Sequence, residues 1–125
     1  MKIEISNGDL IDRASILSIK LQKIKSKEKL LNVQKEFDIL FESMRSIGIS
    51  EGSQEFQNLK KINLTLWEIE DRIRMKELRQ EFDDEFIRLA RKIYFENDKR
   101  SEIKRQINIT TGSTLIEEKE YVEYK

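Results

Sequence analysis

Leu30-Leu31-Asn32-Val33-Gln34-Lys35-Glu36-Phe37-Asp38-Ile39-Leu40-Phe41-Glu42-Ser43-Met44-Arg45-Ser46-Ile47 repeats its apolar residues at 30, 33, 37, 40, 44 and 47, in alternating steps of three and four. That spacing draws one stripe along an α-helix; a strand, whose side chains change face at every residue, does not produce it. The same rhythm runs through Leu10, Ala14, Leu17, Leu21 and Ile24 upstream, and through Leu59, Ile62, Leu66, Ile69 and Ile73 downstream. A fourth stripe, Phe82, Phe86, Leu89 and Ile93, runs into Asn97, Arg100 and Lys104 before Ile107 restores it. An inward-facing row that turns from apolar to charged is either the end of the core or the wall of a site.

Few residues interrupt these stripes. The chain has no proline, and its glycines fall at Gly8, Gly48, Gly52 and Gly112, so the segments between them are free to form long helices. The spacing predicts helices over about residues 9–25, 27–47 and 54–79, and a fourth from an Asp83 cap to about Thr111. Ser26 is placed to cap the second helix, and residues 48–53 form a loop. The break between the last two helices is soft, with Phe82 and Ile87 placed to staple the fourth helix's start. Gly112 ends that helix. Thr114 with Glu117 fits a capping box, predicting a final turn or short helix before Tyr121, and Ile3–Ile5 reads as extended. The expected fold is all-α: a single helical domain over residues 1–125, with two antiparallel helical hairpins forming a four-helix bundle, long third and fourth helices and a short C-terminal tail. At 1.5 Å per residue, the long hairpin spans about 40 Å and the first helix about 25 Å. Apolar residues on the overhang need cover, and a second copy is the simplest, so a homodimer is expected.

The 125 residues carry 24 basic and 24 acidic side chains and no net charge, which removes the electrostatic case for a nucleic-acid partner. Lys20, Lys23, Lys25, Lys27 and Lys29 crowd the first hairpin turn without interleaved aromatics, and read as a hydrated turn. With no histidine or cysteine, thiol chemistry, a Ser-His-Asp triad and Cys- or His-built zinc sites are excluded. Neither zinc nor haem is expected; a metal would be a hard ion on carboxylates, magnesium foremost. The N-terminus is too short and polar for a signal peptide and no apolar run approaches a membrane span, so the expected location is cytoplasmic.

Three constellations could carry chemistry. On the last helix, Asn97, Arg100, Lys104 and Asn108 lie nearly above one another beside Asp98 and Arg105, a set of amides and cations suited to phosphate or carboxylate. The alternative there is a solvated face with salt bridges such as Glu96 to Arg100. On the third helix, Asn63, Trp67, Glu70 and Arg74 share a face next to Asp71; Trp67, the only tryptophan, reads first as a core anchor, with carboxylates beside it. At the start of the first helix, Asp9 suits the helix dipole, while Asp12 and Arg13 are placed to face the fourth helix and pair with its charges. Acidic pairs three residues apart, Glu68 with Asp71 and Glu81 with Asp84, match the magnesium-binding spacing of all-helical nucleotide pyrophosphatases. They are no more frequent than this acid content produces by chance, and the double glutamate that opens that family's motif is absent from the helix that should carry it.

Gly8–Arg13 leading to Ile16–Lys20, Leu66–Arg74, and Phe86–Arg91 continuing through Asn97–Arg100, Lys104–Asn108, Gly112-Ser113 and Glu117–Tyr121 together resemble a family of short proteins of bacteria and their phages. That family has no assigned activity and is often described beside genes for surface-polysaccharide assembly. The resemblance covers essentially the whole chain. It implies functional weight at Asp12, Trp67, Glu70, Asp71, Asn97, Asp98, Arg100, Lys104, Arg105, Asn108, Glu118, Lys119 and Tyr121, and a scaffold role for Val33–Lys60. The leading expectation is a non-enzymatic binding or adaptor module with a polar pocket between helices one, three and four, closed by the tail. Arg100, Lys104 and Arg105 would hold the anionic group of a phosphorylated small molecule, and Asp12, Glu70 and Asp71 would orient them or bind a hard cation. The alternatives are a metal-dependent enzyme acting on nucleotide or sugar phosphates with the same carboxylates, and a purely structural interaction protein.

Overall fold

Ser6, Ser26 and Asp83 each turn a side-chain oxygen onto the backbone N–H three residues ahead, at Asp9, Lys29 and Phe86, the bond that starts a helix by satisfying one of its orphan donors. They open α1 (Asn7–Lys23), α2 (Lys27–Ser46) and α4 (Asp84–Thr110). α3 (Gln54–Leu78) follows Ser53, whose hydroxyl instead accepts from the Ser50 N–H at 3.0 Å. The computed structural model describes residues Met1–Tyr124, and among them there is no strand. α1 starts two residues before the expected position because Ser6 is its cap.

Three helices end alike. After α2, Ile49 N–H bonds back to Met44 O at 3.1 Å and Gly48 N–H to Arg45 O at 3.0 Å. After α3, Glu81 N–H reaches Lys76 O at 2.9 Å and Gln80 N–H reaches Glu77 O at 3.1 Å. After α4, Ser113 N–H reaches Asn108 O at 2.9 Å and Gly112 N–H reaches Ile109 O at 3.4 Å. This is the Schellman closure, which needs one residue in the left-handed region. Gly48 (φ 76°) and Gly112 (φ 65°) adopt it freely, whereas Gln80 (φ 57°) must be forced into it. The break that looked soft in sequence is therefore a Schellman turn with the wrong residue for comfort. Beyond it, Lys76 pairs with Glu81, Asp83 and Glu85, tying the start of α4 to the end of α3. Phe82 sets its ring edge-on to Phe86, with centroids 5.3 Å apart. Phe82 and Ile87 both stay more than half exposed rather than closing a buried staple.

The four helices form a bundle in which α1 is the hub: it packs on α2, α3 and α4, while α3 and α4 pack on each other. Residue pairings give the directions. Asn7 meets Thr111 while Asp12 meets Arg100, so α1 and α4 are antiparallel. Arg72 and Lys76 both meet Glu85, closing the α3–α4 hairpin. The main core cluster, Ile11, Ala14, Met44, Ile49, Phe56, Leu59 and Ile107, joins all four helices at one end of α1. A smaller one, Leu17, Val33 and Phe37, continues between α1 and α2. Ile49 and Met44 are the apolar contact of the first Schellman turn, so the α2–α3 loop is part of the core. The capping box expected at Thr114 and Glu117 does not form: residues 113–124 hold no helix, and Glu117 turns to Lys104 instead.

α1 can lie this close to α4 only because residue 8 is glycine. A Cβ there would stand 2.5 Å from the backbone oxygen of Lys104, and a backbone carbonyl cannot swing away as a side chain can. Gly8→Ala is expected to destabilise the chain by about 1–3 kcal/mol in urea unfolding. Gln80→Gly is expected to stabilise it by about 1 kcal/mol by removing the left-handed penalty. A neutral effect at either position would contradict this reading of the two backbones.

Candidate functional site

Asp12 lies one turn inside α1 and is 3% exposed. A carboxylate this deep must be paired and hydrogen-bonded or it would be forced to neutralise. Arg100 supplies the pairing with a two-pronged fork, Nε to Oδ1 at 2.9 Å and Nη2 to Oδ2 at 2.5 Å. Asn63 of α3 donates its Nδ2 to the same Oδ1 at 2.9 Å and to Ser15 Oγ at 2.9 Å, and the Ser15 hydroxyl donates to Asp12 O at 2.7 Å. Arg100 Nη1 reaches Asn97 Oδ1 at 3.3 Å. The Asp12 carboxylate raises the pKa of the guanidinium above its ordinary value, against the opposing effect of burial. The polar break in the stripe of α4 is thus the helix's half of a network whose other members sit on α1 and α3. The Glu96–Arg100 bridge of the alternative reading does not form: Arg100 turns inward to Asp12, and Glu96 pairs with Lys99 at 3.2 Å.

One turn on, Lys104 lies between Asp9 (2.8 Å) and Glu117 (3.1 Å). Burial pulls the ammonium's pKa down, but the two carboxylates outweigh it and the net shift is upward. Another turn on, buried Asn108 accepts the N–H of Gly8 at 2.6 Å. Ser113 Oγ accepts the N–H of Asn7 at 3.0 Å, and Asn7 Nδ2 donates to Thr111 Oγ1 at 2.9 Å. The orphan donors of α1 are therefore capped by the end of α4 as well as by Ser6.

Two clefts flank this framework. The first, about 450 Å³, lies where α1, α3 and α4 meet. Trp67, Leu66, Ile16, Ile19 and Ile93 form its apolar surfaces, and Asn63, Glu70, Asp71, Arg74, Asn97 and Arg100 its polar ones. Trp67 is half-buried here, a cleft wall rather than the core anchor its area suggested. The second, about 280 Å³, lies between α4 and residues 117–121. There Arg105 pairs with Glu118 at 2.9 Å, Lys119 donates to Ser101 Oγ at 3.0 Å, and the Lys119 ammonium stands 5.9 Å from the centre of the Tyr121 ring. The Tyr124 hydroxyl donates to Asp98, and that bond raises its pKa to about 12.

The predicted residues therefore divide. Arg100 and Asn97 converge with Trp67, Glu70, Asp71 and Arg74 around the first cleft, with Asp12 buried behind Arg100; Asp98, Lys104, Arg105, Asn108, Lys119 and Tyr121 gather at the second. Arg13 is exposed and pairs with no charge of α4 among the described residues, because it sits one position round the helix from buried Asp12. Both Asp12 oxygens are occupied by Arg100 and Asn63, and among the described residues no group of three acidic side chains is placed to hold a metal ion. Sequence reasoning assigned no role to Ser15, Asn7, Ser101 or Ser113. Two had a signal: Ser15 lies three residues from Asp12 on the face that meets α3, and Ser113 falls in a segment that carries the family resemblance.

Removing the acceptor that caps Gly8 should be costly, since it strands a buried N–H. Asn108→Ala is expected to lose about 1–3 kcal/mol in denaturant unfolding. Asn7→Ala, which gives up a bond at a partly exposed site, is expected to lose about 0.5–1 kcal/mol. The reverse order would show that the α1–α4 cap does not hold the helices together.

No curated protein and no solved structure matches the chain. A family model does match, from residue 1 to residue 124, so the segments that build both clefts and the capped α1–α4 junction all fall inside it. The chain belongs to the family of unknown function DUF6165.

Proposed function

We propose that the chain is a non-enzymatic binding module that takes a small phosphorylated molecule into the Trp67 cleft. The observation that carries this is the half-buried state of the only tryptophan, held as a wall among two amides, two guanidinium groups and two carboxylates instead of closing the core. A mostly apolar cleft of a few hundred cubic ångströms with a few oriented polar groups is the usual form of a small-molecule site. An indole face stacks on a planar base or the apolar face of a sugar ring. Asn97 offers an amide to hydroxyl groups, and the phosphate falls to Arg74, since Arg100 is committed to Asp12. Arg74 holds only an exposed pair with Glu70 at 3.2 Å, which a phosphate can replace at little cost. Lys104 and Arg105 contribute less than their sequence suggests, because Asp9, Glu117 and Glu118 already neutralise them. The resemblance to bacterial and phage proteins described beside surface-polysaccharide genes favours a sugar phosphate over a nucleotide. Magnesium would enter with the phosphate at Glu70 and Asp71, since Asp12 has no oxygen to spare; that same saturation weighs against the metal-dependent enzyme.

The module acts in the cytoplasm as a homodimer on this reading. Among the described helices, none is long and apolar enough to cross a membrane. The overhang of α3 and α4 beyond α1 leaves Met75, Leu78, Phe82 and Ile87 exposed together near one hairpin end, Leu78 by 75%. Apolar exposure of this kind on a small chain marks an interface, and a second copy would cover it. Light scattering is expected to give twice the chain mass, and Leu78→Asp with Ile87→Asp to give the chain mass. A monomeric parent would remove the dimer.

A single tryptophan in the cleft makes the ligand test direct. Sugar phosphates and nucleotides are titrated while Trp67 emission and melting temperature are followed, with and without magnesium. A ligand at a hundred times its Kd stabilises by about 2.7 kcal/mol, a shift of several degrees for a domain of this size. The expected result is a saturable change in emission and melting temperature without magnesium, weakened about tenfold or more by Arg74→Ala, since one charge-assisted bond accounts for about that factor. Neither signal moving with any compound would contradict the reading, and stabilisation only with metal present would turn it toward the enzyme.

A further inference from the structure

Residues 113–124 run along α4 in the opposite direction to the helix, beside the edge where Lys104 and Asn108 meet α1. Ser113 stands beside Asn108; Glu117 and Glu118 take Lys104 and Arg105; Lys119 reaches Ser101; Tyr124 meets Asp98, Tyr94 and Phe95. Those α4 positions recur every three or four residues and so form one face of the helix. After Ser113 the segment makes no backbone–backbone hydrogen bond among the described residues. Side chains alone attach it, through the exposed Arg105–Glu118 pair, the more buried Lys104–Glu117 pair and edge-on aromatic contacts with ring centroids 5.3 Å apart. Exposed ion pairs contribute little net stability and weaken with salt. Segments with few buried contacts and solvated backbone open at low cost. The segment is seated as a bound peptide would be, not as an element of the fold.

We infer that the α4 face from Tyr94 to Arg105 is a docking surface for an extended acidic segment of a partner protein that ends in an aromatic residue, and that residues 113–124 occupy it as an internal competitor. The complement is set out along the helix: Arg105 and Lys104, the latter shared with Asp9, for consecutive carboxylates, the Ser101 hydroxyl, and the rings of Tyr94 and Phe95 for an aromatic side chain. The sequence Glu117-Glu118-Lys119-Glu120-Tyr121-Val122-Glu123-Tyr124 shows the chemistry that fits. Tethering gives the internal segment an effective concentration in the millimolar range, so a free segment of similar composition is excluded until the internal one is released. Gly112, already in the left-handed region at φ 65°, is the point about which the segment leaves α4. This inference does not depend on the Trp67 cleft holding a ligand.

The test uses the full chain and a fluorescein-labelled peptide of residues 113–124 as the probe. Glu117→Gln with Glu118→Gln is introduced to release the internal segment, and release is read as faster tryptic cleavage after Lys119. Fluorescence polarisation is then expected to show the peptide binding the double variant at least about tenfold more tightly than the parent chain, as relief from a tethered competitor requires. Adding Arg105→Glu to the double variant, or raising the salt, should remove that binding. A parent and double variant that bind the peptide equally, or a released segment whose place the peptide does not take, would overturn the inference. So would cleavage after Lys119 that the substitutions leave unchanged, because the carboxylates would then not be what holds the segment.

Discussion

A carboxylate withdrawn from water at Asp12 constrains three helices at once. Its charge is tolerable only while Arg100 of α4 forks onto both oxygens and Asn63 of α3 donates to one of them. α1 carries the carboxylate itself, so a slip of α1 or α4 by one turn would leave a buried charge unpaired, and a slip of α3 would take away one of its hydrogen bonds. Pairs of this kind add little net stability over apolar packing, since desolvation offsets most of the Coulombic gain. Their effect here is on register, because a misaligned arrangement is penalised far more than the aligned one is rewarded.

The rest of the site follows from that register. With Arg100 fixed on Asp12, Asn97 and Trp67 lie at the walls of the same cleft, and Lys104 and Asn108 fall successively one turn further along α4, against Asp9 and Gly8. Gly8 permits the approach that these bonds need, and α4 in turn caps the start of α1. The stripe of α4 therefore does not end the core. It changes from apolar packing to polar docking of α1, and Ile107 resumes the core beyond.

The helices were legible because their evidence is local: apolar steps of three and four residues, Ser26 and Asp83 as caps, and Gly48 and Gly112 as stops all act within a turn or two. α1 as hub was not, since its packing on three helices depends on contacts far apart in sequence. Gln80 escaped notice because a non-glycine residue in a Schellman turn has no signature; the hydrogen bonds of Glu81 and Gln80 reveal it only in three dimensions. The capping box at Thr114 and Glu117 was a false local signal, overridden when the carboxylate found Lys104. At the site, Asp12 with Arg100 was readable as a charge break facing a helix-start acid. The division of the charged residues between two clefts was not, because residues four apart on α4 face α3 or the outer segment by small differences in angle.

The account is tested most directly by a double-mutant cycle on Asp12→Ala and Arg100→Ala, with urea unfolding followed by Trp67 emission. Each single substitution is predicted to cost about 3–5 kcal/mol by stranding the other charge, and the double substitution about as much as one single alone, a coupling of several kcal/mol. Additive costs would show that the two side chains do not depend on each other, and the register imposed by the buried pair would have to be abandoned.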